Sequence, residues 1–154
     1  MTMKSLTLSV LLSFISIWSF AQKYCLTSDE VGVGGFDPVS YLASVHPVLG
    51  NPKISTKYDG VKYHFSSEAN KNTFLGNPMK YLPQFGGWCS MNLVLGKATT
   101  PTYTNFLVQD GKVFLFERTL SVNGKELWLK DSRKNENIAT MKYNNLKETG
   151  KANK

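Results

Sequence analysis

The sequence predicts a small α+β domain. Two pairs of strand-like segments are each joined by an Asp-Gly dipeptide, which favours a tight hairpin turn. Short helical segments with cap residues stand between the two hairpins, and a longer helical pattern follows the second one. Hairpins and helices of these lengths pack as layers around one core, so we expect one single domain.

The first hairpin is the clearest local pattern. It comprises Ile54 to Tyr58 and Val61 to Phe65, which flank the turn dipeptide Asp59-Gly60. Because side chains alternate along a strand, Val61, Tyr63 and Phe65 share one face, and we predict that this face is buried. The opposite face carries Lys62, His64 and Ser66.

The remaining elements are indicated by cap and turn residues. Asp37-Pro38 predicts an N-cap and the first turn of a short helix through Leu42. Ser66 or Ser67 predicts the start of a helix that runs to about Leu75, and Asn77-Pro78 predicts the start of another. A second hairpin spans 105–109 and 112–116, with helical segments at 121–130 and 132–146 whose predicted core contacts are Leu127, Trp128, Ile138, Met141 and Leu146.

The first residues have the pattern of a secretory signal peptide. Lys4 precedes an apolar run from Leu6 to Phe20, and small residues at positions 19 and 21 fit cleavage after Ala21. One alternative is a membrane anchor, but the apolar run is shorter than the ~20 residues needed to span a bilayer. The other is lipid attachment at Cys25, but the residues before it are polar and bulky where a lipoprotein signal needs small apolar ones. We therefore predict export to the periplasm or the medium, with no transmembrane anchor after cleavage.

The expected organisation is a signal peptide at 1–21, an irregular lead-in at 22–34, the domain at 35–147 and a disordered basic tail at 148–154. Cleavage would leave 133 residues with a net charge of +6, and +4 of that charge lies in residues 125–154. These lysines do not form the aromatic-interleaved basic stripe of a single-strand-binding surface. The composition therefore argues against nucleic acid as a partner.

Several short motifs resemble the YHS-domain family, and in particular its small exported bacterial members. They are Asp37-Pro38-Val39-Ser40-Tyr41, Tyr58-Asp59-Gly60, Tyr63-His64-Phe65-Ser66-Ser67, Asn77-Pro78-Met79-Lys80-Tyr81 and Pro83-Gln84-Phe85-Gly86-Gly87-Trp88-Cys89. The resemblance covers roughly residues 35–145. It implies membership of a group of cysteine-bearing, treble-clef-like modules that are implicated in metal binding.

The sequence departs from that wider group at the metal-binding cysteines. The corresponding positions are Ser40, Ser66 and Asn70, and neither a hydroxyl nor an amide replaces a thiolate as a ligand for copper or zinc. A closed cysteine site is therefore excluded. The weaker set of candidate metal ligands that remains is His64, Asp37, Cys89 and His46.

Cys89 and His64 are also the candidates for chemistry. Cys89 precedes a predicted short helix, whose N-terminal amides can lower a thiol pKa, and with His64 it could form a cysteine nucleophile. The alternatives are a buried structural cysteine or a disulfide between Cys25 and Cys89 in an oxidising compartment.

Three functions therefore stay open. The first is an envelope module that binds a metal ion (copper or zinc) or a small ligand, and the others are an enzyme and a purely structural or interaction domain. No motif marks it as an enzyme, and the resemblance favours binding. The candidate ligand-binding residues are His64, Ser66, Asn70, Asp37, Trp88 and Cys89.

Overall fold

A computed structural model describes residues 23–153 and confirms the α+β class. The predicted signal peptide at 1–21 lies outside the described residues. The strands are β1 (Asn51–Tyr58), β2 (Val61–Phe65), β3 (Thr102–Gln109) and β4 (Lys112–Phe116). The helices are α1 (Ser40–Ala43), α2 (Glu68–Gly76), α3 (Pro78–Tyr81), α4 (Ser90–Val94), α5 (Gly124–Leu129) and α6 (Ser132–Thr149), with 3-10 turns at Val33–Gly35 and Gln84–Gly87.

Both predicted hairpins are present, and each forms its own two-stranded antiparallel sheet. In the turns, Asp59 and Gly60 have φ of 48° and 79°, and Asp110 and Gly111 have φ of 52° and 72°. A type I′ turn needs positive φ at both central residues, which Asp and Gly tolerate better than most residues do. The Asp-Gly dipeptides therefore determine where both hairpins turn.

Strand β4 separates two hydrophobic clusters. Its alternating side chains divide between them: Val113 and Leu115 pack in the first cluster, and Phe114 and Phe116 pack in the second. All four are at most 1% exposed, so both faces of β4 are buried. The first cluster also contains Val61, Tyr63 and Phe65 of β2, which confirms the predicted buried face of that strand.

Polar caps begin the longer helices. Ser67 accepts a hydrogen bond from the backbone N–H of Asn70 at 3.1 Å at the start of α2, and Asp131 caps α6 in the same way. Asp37, in contrast, is not the N-cap of α1. The helix begins at Ser40 after Val39, and the Asp37 carboxylate lies in a buried network described below, so the predicted cap was wrong.

The C-terminal region differs from the expectation at two places. Trp128 and Leu146 are buried as predicted, but Met141 is 63% exposed because it lies on the outer face of α6. The expected disordered tail from residue 148 is instead ordered through Ala152. That residue is 5% exposed and packs in the second cluster, after a left-handed Gly150 ends α6. In the described part of the chain, no helix has the length and apolarity to span a bilayer.

The lead-in joins the domain through backbone hydrogen bonds. Cys25 N–H donates to the Gly86 carbonyl and Gly32 N–H donates to the Lys62 carbonyl, both at 2.9 Å. Tyr143 on α6 adds a hydroxyl bond of 2.9 Å to the Lys23 carbonyl. These contacts bring the start of the described chain beside the Gly86-Gly87 turn and the end of α6.

Candidate functional site

Asp37 is the centre of a buried hydrogen-bond network. Its carboxylate is fully buried and accepts hydrogen bonds from Val39 N–H (2.9 Å), Ser66 N–H (2.9 Å), Ser66 Oγ (2.6 Å) and Asn70 Nδ2 (2.7 Å). The Ser40 hydroxyl donates to the Asp37 backbone carbonyl at 2.6 Å and accepts from Val48 N–H at 2.9 Å. The network ties the start of α1 to the end of β2 and the first turn of α2.

Three sequence-predicted site residues, Asp37, Ser66 and Asn70, are thus brought together, and Ser40 lies beside them. Of the positions where the wider group carries cysteines, Ser66 and Asn70 donate to the Asp37 carboxylate, and Ser40 donates to the Asp37 backbone carbonyl. A buried carboxylate is costly unless its oxygens are bonded, and here both oxygens are bonded from within the chain. This arrangement accounts for these residue types without a bound ligand.

The other candidate metal ligands do not complete a metal site. Within residues 23–153, no three His, Cys, Asp or Glu side chains cluster so as to hold a metal ion. His46 is exposed on the loop after α1. The Asp37 oxygens are already engaged by four donors, so the donor set of this chain does not fit the metal centre that the wider group implies.

His64 and Cys89 lie in different surroundings. His64 is 9% exposed, its Nδ1 faces Gly35, and its buried Nε2 has no hydrogen-bond partner among the described residues. Burial, and then the nearby Lys62 charge, lower the pKa of His64, which favours a neutral ring. Cys89 instead accepts a hydrogen bond from Glu117 N–H through its sulfur at 3.2 Å.

The two thiols are free and buried. Cys89 is the N-cap of α4 as expected, but burial raises the pKa of its thiol despite the helix amides. Burial likewise raises the pKa of Cys25, whose sulfur lies 3.8 Å from the Thr100 and Tyr103 hydroxyls. These environments favour the protonated thiol over the thiolate that a nucleophile needs. Trp88, the remaining predicted site residue, packs partly buried against the second cluster.

A more enclosed concavity lies away from the Asp37 network, His64 and Cys89. A cavity of about 280 Å³ opens between the lead-in, the Gly86-Gly87 turn, α3 and α6. Its apolar wall includes Met79, Leu82 and Phe85. Its polar side carries three tyrosines (Tyr24, Tyr63, Tyr143), two lysines (Lys23, Lys147), Asp59 and Gln84.

These polar groups form one electrostatic cluster. Lys23 Nζ donates to Asp59 Oδ2 at 2.5 Å, and the Tyr24 hydroxyl donates to the same oxygen. Those two bonds, the one from Lys23 first, lower the pKa of Asp59, and the bond to Asp59 raises the pKa of Lys23. Lys23 and Asp59 therefore both stay charged across the neutral pH range.

Tyr63 contributes a hydroxyl without a partner. The residue is 2% exposed and lines the cavity, and its hydroxyl makes no hydrogen bond to residues 23–153. Burial raises the pKa of Tyr63, and burial raises that of Tyr143 to about 12, so both phenols stay protonated. An unpaired hydroxyl on a residue that lines a cavity is available to a ligand.

Two strained backbone segments also border this cavity. Val33 and Phe85 have φ of 56° and 57°, in the left-handed region that non-glycine residues rarely adopt. Gly86 follows at 62°, and a Cβ there would lie 2.1 Å from the Lys23 carbonyl oxygen. Left-handed non-glycine residues cost about 1–3 kcal/mol each and concentrate at ligand sites.

The sequence interpretation missed this cavity. The only sequence feature that could have indicated the cavity is the glycine pairs at 34–35 and 86–87, because they mark segments with unusual backbone angles. Nothing in the sequence indicated that the lead-in crosses one of these segments. Only the folded chain brings Lys23, Tyr24 and Tyr143 together.

Comparison with known proteins identifies one family. The model of the YHS domain matches residues 49–85, from just before β1 to the Phe85 turn. The match contains His64, Ser66 and Asn70, and it ends before Trp88 and Cys89. No curated protein and no solved structure matches the chain. Of the resemblance over roughly residues 35–145, the stretch 49–85 is thus confirmed: the chain contains a YHS domain at these residues.

Proposed function

We propose that this protein is a binding module that holds a small organic molecule in the cavity between the lead-in, the Gly86-Gly87 turn and α6. The observation that carries the proposal is the unpaired Tyr63 hydroxyl in a cavity whose lining combines an apolar wall with a few charged and polar side chains. Small-ligand sites combine a mostly apolar lining with a few placed polar groups. The strained Val33 and Phe85 beside the cavity point to the same place.

The size of the cavity restricts the ligand. A volume of about 280 Å³ is just below the ~300–1,000 Å³ of pockets that hold drug-sized ligands. We therefore expect a molecule with one ring or a short chain. At an ordinary ligand efficiency, such a small molecule binds with a Kd on the order of 1–10 mM.

Three one-ring probes of nearly equal shape test the proposal: benzoate, benzamide and benzylamine. In saturation-transfer NMR with the protein purified from cells expressing the full chain, at least one probe should bind. Leu82→Trp fills the cavity from its apolar wall and should abolish that binding, whereas Leu129→Trp places the same side chain on an exposed site of α5 and should not. Failure of all three probes, or equal binding by Leu82→Trp, would overturn the proposal.

We also propose that the module acts outside the cytoplasm. Support comes from the charged, apolar and small-residue pattern of residues 1–21. N-terminal sequencing of the protein from the periplasmic or medium fraction should begin at Gln22. Recovery of the protein in the cytoplasm with residues 1–21 attached would contradict export.

A further inference from the structure

We infer that the ligand of this cavity is a small organic acid. Its anionic group would meet Lys23, Lys147 and Tyr63, and its apolar body would pack against Leu82 and Phe85. This inference rests on the proposed function and adds the chemical class of the ligand.

The lysines already occupy the positions that a cationic ligand would use. Aromatic rings and a carboxylate attract cations, and the cavity has both. However, Lys23 Nζ lies 5.0 Å from the centre of the Tyr24 ring and is bonded to Asp59, and Lys147 Nζ lies 4.8 Å from the centre of the Tyr143 ring. A positively charged ligand would therefore approach two ammonium groups.

The cavity lining keeps donors that no residue of the described chain engages. The Asp59 oxygen Oδ2 already accepts from Lys23 and Tyr24, and the Tyr143 hydroxyl already donates to the Lys23 carbonyl. The Tyr63 hydroxyl has no partner, and an ammonium group carries three N–H donors. Within residues 23–153, Lys147 has no carboxylate partner. A carboxylate ligand would accept from these donors, whereas the acceptors left for an amine, Asp59 Oδ1 and the Gln84 amide oxygen, belong to a lining that already carries two ammonium groups.

The charge of the lining fits a monoanion. Lys23 and Lys147 supply two positive charges and Asp59 one negative charge, so the cavity has one uncompensated positive charge. Met79, Leu82 and Phe85 form the opposite, apolar side. A molecule with one carboxylate and a hydrocarbon body satisfies both sides, and an inorganic anion satisfies only the polar one.

Titration NMR with the three probes tests the inference separately from the proposed function. Benzoate should bind at least tenfold more tightly than benzamide, a difference of about 1.4 kcal/mol, and benzylamine should bind most weakly. Inorganic phosphate at equal concentration should not displace benzoate. Tight binding of benzamide or benzylamine with benzoate weaker would overturn the acid assignment and leave the binding function intact.

Two substitutions should move the benzoate affinity in opposite directions. Lys147→Gln should weaken benzoate binding about tenfold and leave benzamide unchanged, while Lys134→Gln, on the same helix but away from the cavity, should change neither. Asp59→Asn removes the negative charge and keeps a residue that tolerates the left-handed turn, so it should strengthen benzoate binding severalfold. If Lys147→Gln and Lys134→Gln weaken benzoate equally, the effect is one of overall charge, and the assignment of the anion to this cavity fails.

Discussion

Replacing Asp37 tests whether its hydrogen-bond network stabilises the fold. In Asp37→Ala, the donors on Val39, Ser66 and Asn70 lose a buried, charged acceptor that now receives four bonds of 2.6–2.9 Å. Each such bond contributes about 1.5–3 kcal/mol in other proteins. Removal of the carboxylate also removes the cost of burying its charge, which offsets part of the loss.

We therefore expect Asp37→Ala to lower the free energy of unfolding by about 3–5 kcal/mol, the usual range for breaking a buried polar network. Asp37→Asn keeps one oxygen and the shape of the side chain, so it should cost about half as much, although its amide faces donors on Ser66 and Asn70. Asp110→Asn makes the same chemical change in the exposed turn of the second hairpin and should fall within about 0.5 kcal/mol of wild type.

Urea unfolding followed by circular dichroism measures these differences as shifts of the midpoint at unchanged slope. The order Asp37→Ala, then Asp37→Asn, then Asp110→Asn is the expected ranking of destabilisation. A loss below about 1 kcal/mol for Asp37→Ala would refute the reasoning, because that is no more than an average point mutation costs. It would mean that solvent or rearranged side chains satisfy the donors without the carboxylate.

Three further outcomes are expected. Gly86→Ala should lower the free energy of unfolding by about 2–3 kcal/mol because its Cβ would lie 2.1 Å from a carbonyl oxygen. Gly111→Ala, also at positive φ but with nothing within 4 Å of its Cβ, should lower it by about 1 kcal/mol. Equal urea midpoints for the two variants would contradict this expectation. Because burial raises the thiol pKa of Cys89, the folded state favours the protonated thiol. The contribution of this thiol to the free energy of unfolding is therefore present below pH ~9 and is lost at higher pH. Cys89→Ala should reduce the fall in the free energy of unfolding at alkaline pH. Because burial lowers the pKa of His64, its contribution to the free energy of unfolding is present above pH ~6.5 and is lost as the pH falls through the lowered value. His64→Gln should therefore reduce the loss of stability between pH ~6.5 and 5. The control His46→Gln changes an exposed histidine and should give the wild-type dependence of stability on pH.

Local structure was predictable wherever a short motif determines the backbone. The Asp59-Gly60 and Asp110-Gly111 turns, the Ser67 cap and the buried face of β2 all follow from interactions within a few residues. The prediction that Asp37 is the N-cap of α1 was wrong because it considered only neighbouring residues. The Asp37 carboxylate has stronger partners on β2 and α2, which are distant in sequence and therefore invisible to a local rule.

In the candidate site, some residues were predictable from the sequence and others were not. Asp37, Ser66 and Asn70 were singled out from their positions in a family motif, and they do converge, but on one another. The cavity residues Lys23, Tyr63 and Tyr143 come from three separate parts of the chain, and no spacing rule connects them.

The sequence by itself determined the α+β class, both hairpins and the resemblance to the YHS domain, which the family comparison confirms at residues 49–85, because propensity, turn chemistry and motif order are local properties of the chain. Only the tertiary structure decided that β4 lies between two cores and that the lead-in closes a cavity against α6. Both depend on contacts between residues far apart in sequence, whose partners are determined when the whole chain packs and buries its apolar surface.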